Sequence, residues 1–243
     1  MTLTVCIQGL DGMVLASDSR ATYGDPRGIT AQNDTVKKVY ILSKHVGMTI
    51  AGANEIGEKL KDEISKEVTE KNIDGATNVL EVVRRIVKER YDDWFKGFLI
   101  QPLQIGISEK PQRPNLIILI GGYDINEKGE IGVQRIYSLN SPTNFAPHLH
   151  NTKFALSGVP QYATYLLNRL YSPNMKINNL VKLAAYVISE TATQDGKVGG
   201  PIQIVTITPE GCKELSTEEV NKIIEKNTEY ARYLKNLFLK EGE

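Results

Sequence analysis

The chain has 243 residues, 41% hydrophobic and 24% charged, with 29 Lys+Arg balanced by 29 Asp+Glu. That is the composition of a folded globular protein, and its zero formal charge lacks the basic footprint of a nucleic-acid binder. No apolar run approaches the roughly 18–20 residues of a membrane span, Met1–Thr4 lacks the signature of a signal peptide, and Cys6 and Cys212 alone supply neither a disulfide framework nor a cysteine metal cluster.

The elements follow in chain order. Leu3, Val5 and Ile7 alternate with Thr2, Thr4, Cys6 and Gln8, the period of a half-buried strand. Asp11-Gly12 signals a hairpin, and Met13–Ala16 continues as its second strand. Tyr23 to about Asp34, rich in Gly, Asp and Pro, reads as a loop, and strands follow at Lys38–Leu42 and Val46–Ala51. Ile56, Leu60, Ile64 and Val68 mark one amphipathic helix, and Ala76, Leu80, Val83, Val87, Tyr91 and Trp94 a second. Three prolines between Gly97 and Pro114 predict irregular structure. Leu116–Ile120 reads as a buried strand closed by Gly121-Gly122, with further strands at Val133–Leu139 and Thr152–Leu156. Pro160 opens a helix carrying Ala163, Leu166, Leu167 and Leu170. A helix over Asn178–Thr193, a strand over Ile202–Thr208 and a terminal helix from Thr217 to Leu239, capped by Ser216 or Thr217, complete the chain.

Strand clusters separated by helix pairs suit an α+β fold of two stacked sheets with helices outside. No linker or composition break divides the chain, so residues 1–243 are expected to form one domain with an extended C-terminal helix at about 217–239.

Thr2 is the first chemical candidate. Removal of Met1 would leave a hydroxyl and a free amine on one residue, a compact nucleophile–base pair. An α-amine titrates near pH ~8, far closer to working pH than a lysine does. Read alone, Thr2 is also an ordinary strand-start residue. His148 and His150 share one strand face but have no evident third metal ligand.

The segments Val14-Leu15-Ala16-Ser17-Asp18-Ser19-Arg20-Ala21-Thr22, Val36-Lys37-Lys38 and Gly47-Met48-Thr49-Ile50-Ala51-Gly52 resemble the active β subunits of proteasomes, within the N-terminal-nucleophile hydrolases. Gly121-Gly122-Tyr123-Asp124, Ser157-Gly158 and Asp195 followed by Gly199-Gly200 continue the resemblance in family order to about Gly211. It implies a four-layer αββα sandwich of mainly antiparallel sheets and a threonine endopeptidase with Thr2 as nucleophile. Asp18, 16 residues after Thr2, and Lys38 match the family's aspartate and lysine. Such an ammonium favours the alkoxide, and the carboxylate keeps it charged. Gly52 matches the oxyanion-stabilising glycine, and Ser157 and Asp195 match residues that orient the terminal amine.

By the same resemblance, Thr22 and Ala51 hold an extended peptide by main-chain hydrogen bonds. Ala21, Val36, Tyr40, Ile50, Asn54 and Glu58 shape the principal specificity pocket. Val36 and Ile50 favour an apolar side chain there, whereas Glu58 favours a basic one. One departure stands out: Val198 replaces the serine that normally precedes the Gly-Gly pair. The expected setting is cytoplasmic, without metal or organic cofactor, in a ring-like oligomer that takes peptide or unfolded protein. The chain has no nucleotide-binding P-loop, so an ATP-dependent unfoldase or cap is the expected partner. A non-catalytic subunit and an Ntn-type amide hydrolase or acyl transferase are the alternatives.

Overall fold

The computed structural model describes residues 2–25, 28–96 and 113–239. Most of the stretch expected to be irregular between Gly97 and Pro114 lies outside the described residues. Two five-stranded antiparallel sheets form the centre. The first has the order β10-β1-β2-β11-β12, from β1 (Leu3–Gln8), β2 (Met13–Ser17), β10 (Phe154–Gly158), β11 (Gln203–Thr208) and β12 (Gly211–Glu214). The second has the order β5-β6-β7-β8-β9, from β5 (Val39–Ser43), β6 (Val46–Gly52), β7 (Leu116–Ile125), β8 (Ile131–Asn140) and β9 (His148–Leu149).

Helices α1 (Asn54–Glu70) and α2 (Ala76–Trp94) cover the outer face of the second sheet. On the outer face of the first lie α3 (Gln161–Leu170) and α4 (Ile177–Gln194), with α5 (Thr217–Leu239) docking against α4. The layers are therefore helix, sheet, sheet, helix. Between the sheets, Cys6, Met13, Leu15, Val39, Leu119, Ile136, Val205 and Ile207 form a third apolar cluster. Burial raises the Cys6 thiol well above its ordinary range, consistent with a packing role.

Several sequence expectations change for physical reasons. β1 is buried at every position rather than on one face. Leu3, Val5 and Ile7 meet the helices, while Cys6 meets the other sheet. The expected loop from Tyr23 to Asp34 contains a hairpin, β3 (Ala21–Asp25) and β4 (Gly28–Asn33). β4 is exposed along its whole length, so no buried face imprints an alternating pattern on it. β7 runs through Gly121-Gly122 instead of stopping there. A Cβ on Gly121 would lie 2.6 Å from Cys6 Sγ, and one on Gly122 2.5 Å from the His45 carbonyl oxygen. These glycines permit close sheet packing rather than a turn. β12 adds an edge strand beyond the expected end at Thr208. At α5, Ser216 is the cap: Glu219 N–H donates to Ser216 Oγ at 3.2 Å, and Ser216 N–H donates to Glu219 Oε2 at 2.7 Å, a reciprocal capping box.

Candidate active site

The site begins where β1 and β2 lie side by side. Thr2 immediately precedes β1, and its carbonyl accepts the Val159 N–H at 2.9 Å. That approach requires Gly158, whose φ is +91° and whose Cβ, if present, would lie 1.6 Å from Thr2 O. Asp18 follows β2. Its Oδ1 accepts the Leu3 N–H at 3.0 Å, tying the residue next to Thr2 to the carboxylate. Asp18 Oδ2 accepts the N–H groups of Arg20 and Gly199, each at 3.1 Å.

Lys38 reaches this carboxylate from the second sheet. Its Nζ donates to Asp18 Oδ1 at 3.0 Å and to the Arg20 carbonyl at 2.6 Å. The two side chains are 2% and 0% exposed, so the pair is desolvated. Burial lowers the Lys38 pKa, while the charge and hydrogen bond of Asp18 oppose that shift.

A cleft of about 340 Å³ opens on the lysine of the pair, lined by Thr2, Lys38, Ala21, Thr22, Gly52 and Asn54 together with Tyr23, Ala53, Glu55, Ile56 and Pro114. Its size suits a side chain and adjoining backbone. A larger depression between α1 and α2 is walled mainly by Glu, Lys and Arg, the solvated faces of two helices. Gly52 has φ +100°, and a Cβ there would lie 2.1 Å from Asn115 O, so only glycine fits this bend. Pairing of β6 with β5 reaches Thr49, and Ala51 and Gly52 run past that end while paired with β7. This is the geometry of an edge on which an extended chain can lie.

Thr2, Asp18, Lys38 and Gly52 are thus gathered at one corner, with Ala21, Thr22 and Asn54 beside them. Other expected residues sit elsewhere. Ile50 is 2% exposed and packs in the core beneath α1. Val36 and Ala51 are buried and do not line this cleft. Tyr40 is also buried; its hydroxyl donates to the Lys37 carbonyl, and burial pushes its pKa up to about 12. Glu58 accepts from Asn54 Nδ2 at 3.1 Å on an exposed face, and Glu55 rather than Glu58 borders the cleft.

Ser157 Oγ is 2.6 Å from Thr4 Oγ1, which also accepts from Thr49 Oγ1 at 3.1 Å. This buried hydroxyl chain crosses from one sheet to the other. Asp195 terminates α4, and its Oδ1 accepts the Lys197 N–H at 2.9 Å within its own turn. Val198 is fully buried in the core beneath α4.

Two further features border the site. Arg20 makes a two-pronged ion pair with Asp34, at 2.7 and 2.8 Å, across the base of the β3–β4 hairpin. Cβ atoms on Gly199 and Gly200 would collide with the Arg20 guanidinium and the Asp34 backbone, which explains the glycine pair. The other is Gln203, whose amide bonds the backbone of Lys38; its strand also carries Thr206 and Thr208, so a polar residue there is no signal in the sequence. His148 and His150 stack edge to face at 4.6 Å, and among the described residues no group of three or more His, Cys, Asp or Glu is placed to hold a metal ion. No helix among those residues is long and apolar enough to cross a membrane.

Two antiparallel sheets between helix layers, with a threonine leading into a central strand beside a buried Lys–Asp pair, define a proteasome-like N-terminal-nucleophile sandwich. A family model described as proteasome subunit matches residues 2–119. The proteasome subunit beta of Methanosarcina thermophila is 30% identical over 222 residues, covering 90% of this chain and 92% of that protein. Proteasome subunit beta 1 of Thermococcus sibiricus is 29% identical over 241 residues, covering 93% and 95%. Among solved structures, Anbu (ancestral beta-subunit) from Yersinia bercovieri has a TM-score of 0.73 at 16% identity, covering 99% of this chain and 98% of its own. The Anbu (Gly-1) mutant from Hyphomicrobium sp. strain MC1 has a TM-score of 0.68 at 20% identity, covering 100% and 99%. The chain belongs to the proteasome β-subunit family.

Proposed function

We propose that the chain is a threonine endopeptidase of a proteasome-like assembly, a single domain whose nucleophile is Thr2 after removal of Met1. The observation that carries this reading is the desolvated Lys38–Asp18 pair, whose lysine lines the same cleft as Thr2. Thr2 Oγ attacks the peptide carbonyl carbon, and its proton passes to the α-amine of the same residue. The Lys38 ammonium stabilises the developing alkoxide, held in place by Asp18. An ammonium carries three N–H groups, and Asp18 and the Arg20 carbonyl occupy two of them.

The Gly52 N–H receives the oxyanion of the tetrahedral intermediate. Collapse breaks the C–N bond, and the leaving amine takes the proton from the α-amine. Water then attacks the resulting ester, releasing the acid and restoring Thr2 Oγ–H. Ala21, Thr22, Ala51 and Asn54 bind the peptide in this reading, with Val36 and Ile50 as the apolar support behind them. Ser157 acts through Thr4 at the base of the site, and Asp195 through the turn that delivers the Gly199 N–H to Asp18. The assembly is a cytoplasmic ring of this chain or of related subunits, fed by a separate ATP-dependent unfoldase or cap.

A second reading, a non-catalytic subunit, is favoured by Val198, which supplies no hydroxyl where the family pattern has serine. Intact mass before and after treatment with a peptide epoxyketone separates the two. Loss of Met1 and one adduct per chain, absent in Thr2→Ala, supports the peptidase. A free Thr2 that never reacts in a correctly assembled particle overturns it.

A further inference from the structure

We propose that Gln203 is a positioning residue for Lys38, holding the lysine's backbone at the junction of the two sheets so that its ammonium stays on Asp18 and at the wall of the cleft. Gln203 opens β11 opposite Ser17 in the first sheet. Residues 203 and 205 share one strand face, and Val205 lies in the cluster between the sheets. From that face the amide crosses to the second sheet.

Its Oε1 accepts the N–H groups of Lys38 at 2.9 Å and Val39 at 3.3 Å. Its Nε2 donates to Val36 O at 2.7 Å and Ser19 Oγ at 2.8 Å. All four hydrogen-bonding positions of the amide are filled. Because its acceptor faces two donors and its donor faces a carbonyl, the amide orientation is fixed. Ser19 is fixed in turn by donating to the Pro201 carbonyl. The side chain therefore does for residues 36–39 what a ladder strand would do, just before β5 begins. Other backbone groups of the segment have backbone partners, Val36 N–H on the Ser19 carbonyl and the Lys38 carbonyl on the Ile50 N–H. The Lys38 N–H is instead met by this side chain, and an unmet buried donor is costly.

The kinetic part of this proposal rests on the peptidase reading. The test compares wild type with Gln203→Met, which keeps the shape and loses the bonds, and Gln203→Glu, which keeps the acceptor and loses the donor. Active sites are first counted with the epoxyketone. Per competent site, Gln203→Met is expected to lower kcat by about 10–100-fold with KM unchanged, and Gln203→Glu to fall between it and wild type. Unchanged kcat in Gln203→Met, or a loss accounted for by fewer competent sites, overturns the proposal.

A second readout needs no activity. In protein carrying 13Cε-labelled lysine, with the Lys38 signal assigned by Lys38→Arg, its titration midpoint should rise in Gln203→Met or, if that variant does not fold, in Gln203→Glu. A lysine that leaves its pocket regains water, and burial is what lowers its pKa here. An unmoved midpoint overturns the positioning role even if wild type proves inactive, and inactivity of wild type alone overturns only the peptidase reading.

Discussion

The two ends of β5 are each tied down by a carboxylate and a basic side chain, yet they are finished differently. At its start, Lys38 meets Asp18 with two acceptors on its ammonium, and the group borders a cleft. Just past its far end, His45 has both ring nitrogens engaged, Nδ1 with Asp74 Oδ2 at 2.6 Å and Nε2 with the Pro209 carbonyl at 3.0 Å. Asp74 Oδ1 also accepts from Ser43 Oγ and the N–H groups of His45 and Gly75. This second cluster joins α2, the β5–β6 turn and the β11–β12 turn, and it does not line the cleft on which Lys38 and Thr2 lie. A polar cluster that spends its hydrogen-bonding capacity internally can only hold structure. One that keeps a charged group at the edge of a cleft has capacity left for a substrate. A carboxylate anchors each end, and the difference lies in what borders the cleft.

That contrast can be broken most forcefully at Asp18. Asp18→Asn strands a buried ammonium, a change expected to cost about 3–5 kcal/mol of stability and to abolish detectable peptide hydrolysis. Urea unfolding and turnover per epoxyketone-competent site measure the two effects. At the other end, Asp74→Asn should cost about 1–3 kcal/mol while leaving kcat per folded site unchanged. A matching loss of kcat would erase the distinction between the ends.

Titration sharpens the comparison. Burial raises the Asp74 pKa, but the bonds from Ser43, His45 and Gly75 outweigh it, so the folded value lies below the ordinary one. The folded state then binds fewer protons than the unfolded state. Its contribution is present above the unfolded value of about 3.9 and fades as pH falls through the folded one. Unfolding measured from pH 7 downward should show a flatter acid limb in Asp74→Asn than in wild type.

Lys38 titrates in the opposite window. With its folded pKa lowered by burial, stability rises with pH between that value and the unfolded value of about 10.4. Activity by the proposed mechanism, which needs the ammonium, should fall across the same window, and a pH–kcat profile measures it. The smallest effect is expected at Lys37, which pairs with Glu214 at 2.9 Å on an exposed surface. Lys37→Ala should leave melting temperature and kcat at wild-type values, separating it from its neighbour Lys38.

How legible the molecule is from sequence depends on how local each cause is. The helices α1, α2 and α4 read directly because one side of each is buried and the 3.6-residue period records it, as with Leu60, Ile64 and Val68. Thr2, Asp18, Lys38 and Gly52 were legible as a family pattern in the chain. The β3–β4 hairpin was not, because its backbone bonds leave no hydrophobic imprint. Gly121 and Gly122 misled for the converse reason: glycine reports a need for space without saying whether a turn or a neighbouring sheet imposes it.

By itself, then, the sequence determined the order and type of most elements and, through its family pattern, the sandwich, since periodicity and motif order are properties of a chain. Only the tertiary structure decided that Lys38 reaches Asp18 from the other sheet, that Glu55 rather than Glu58 borders the cleft, and that Gln203 stands behind the lysine. The two contacts of Lys38 join residues 20 and 165 positions apart along the chain. What decides these relations is which distant elements pack together and how the α1 helix is turned against the cleft, and periodicity along one segment carries no information about its partner.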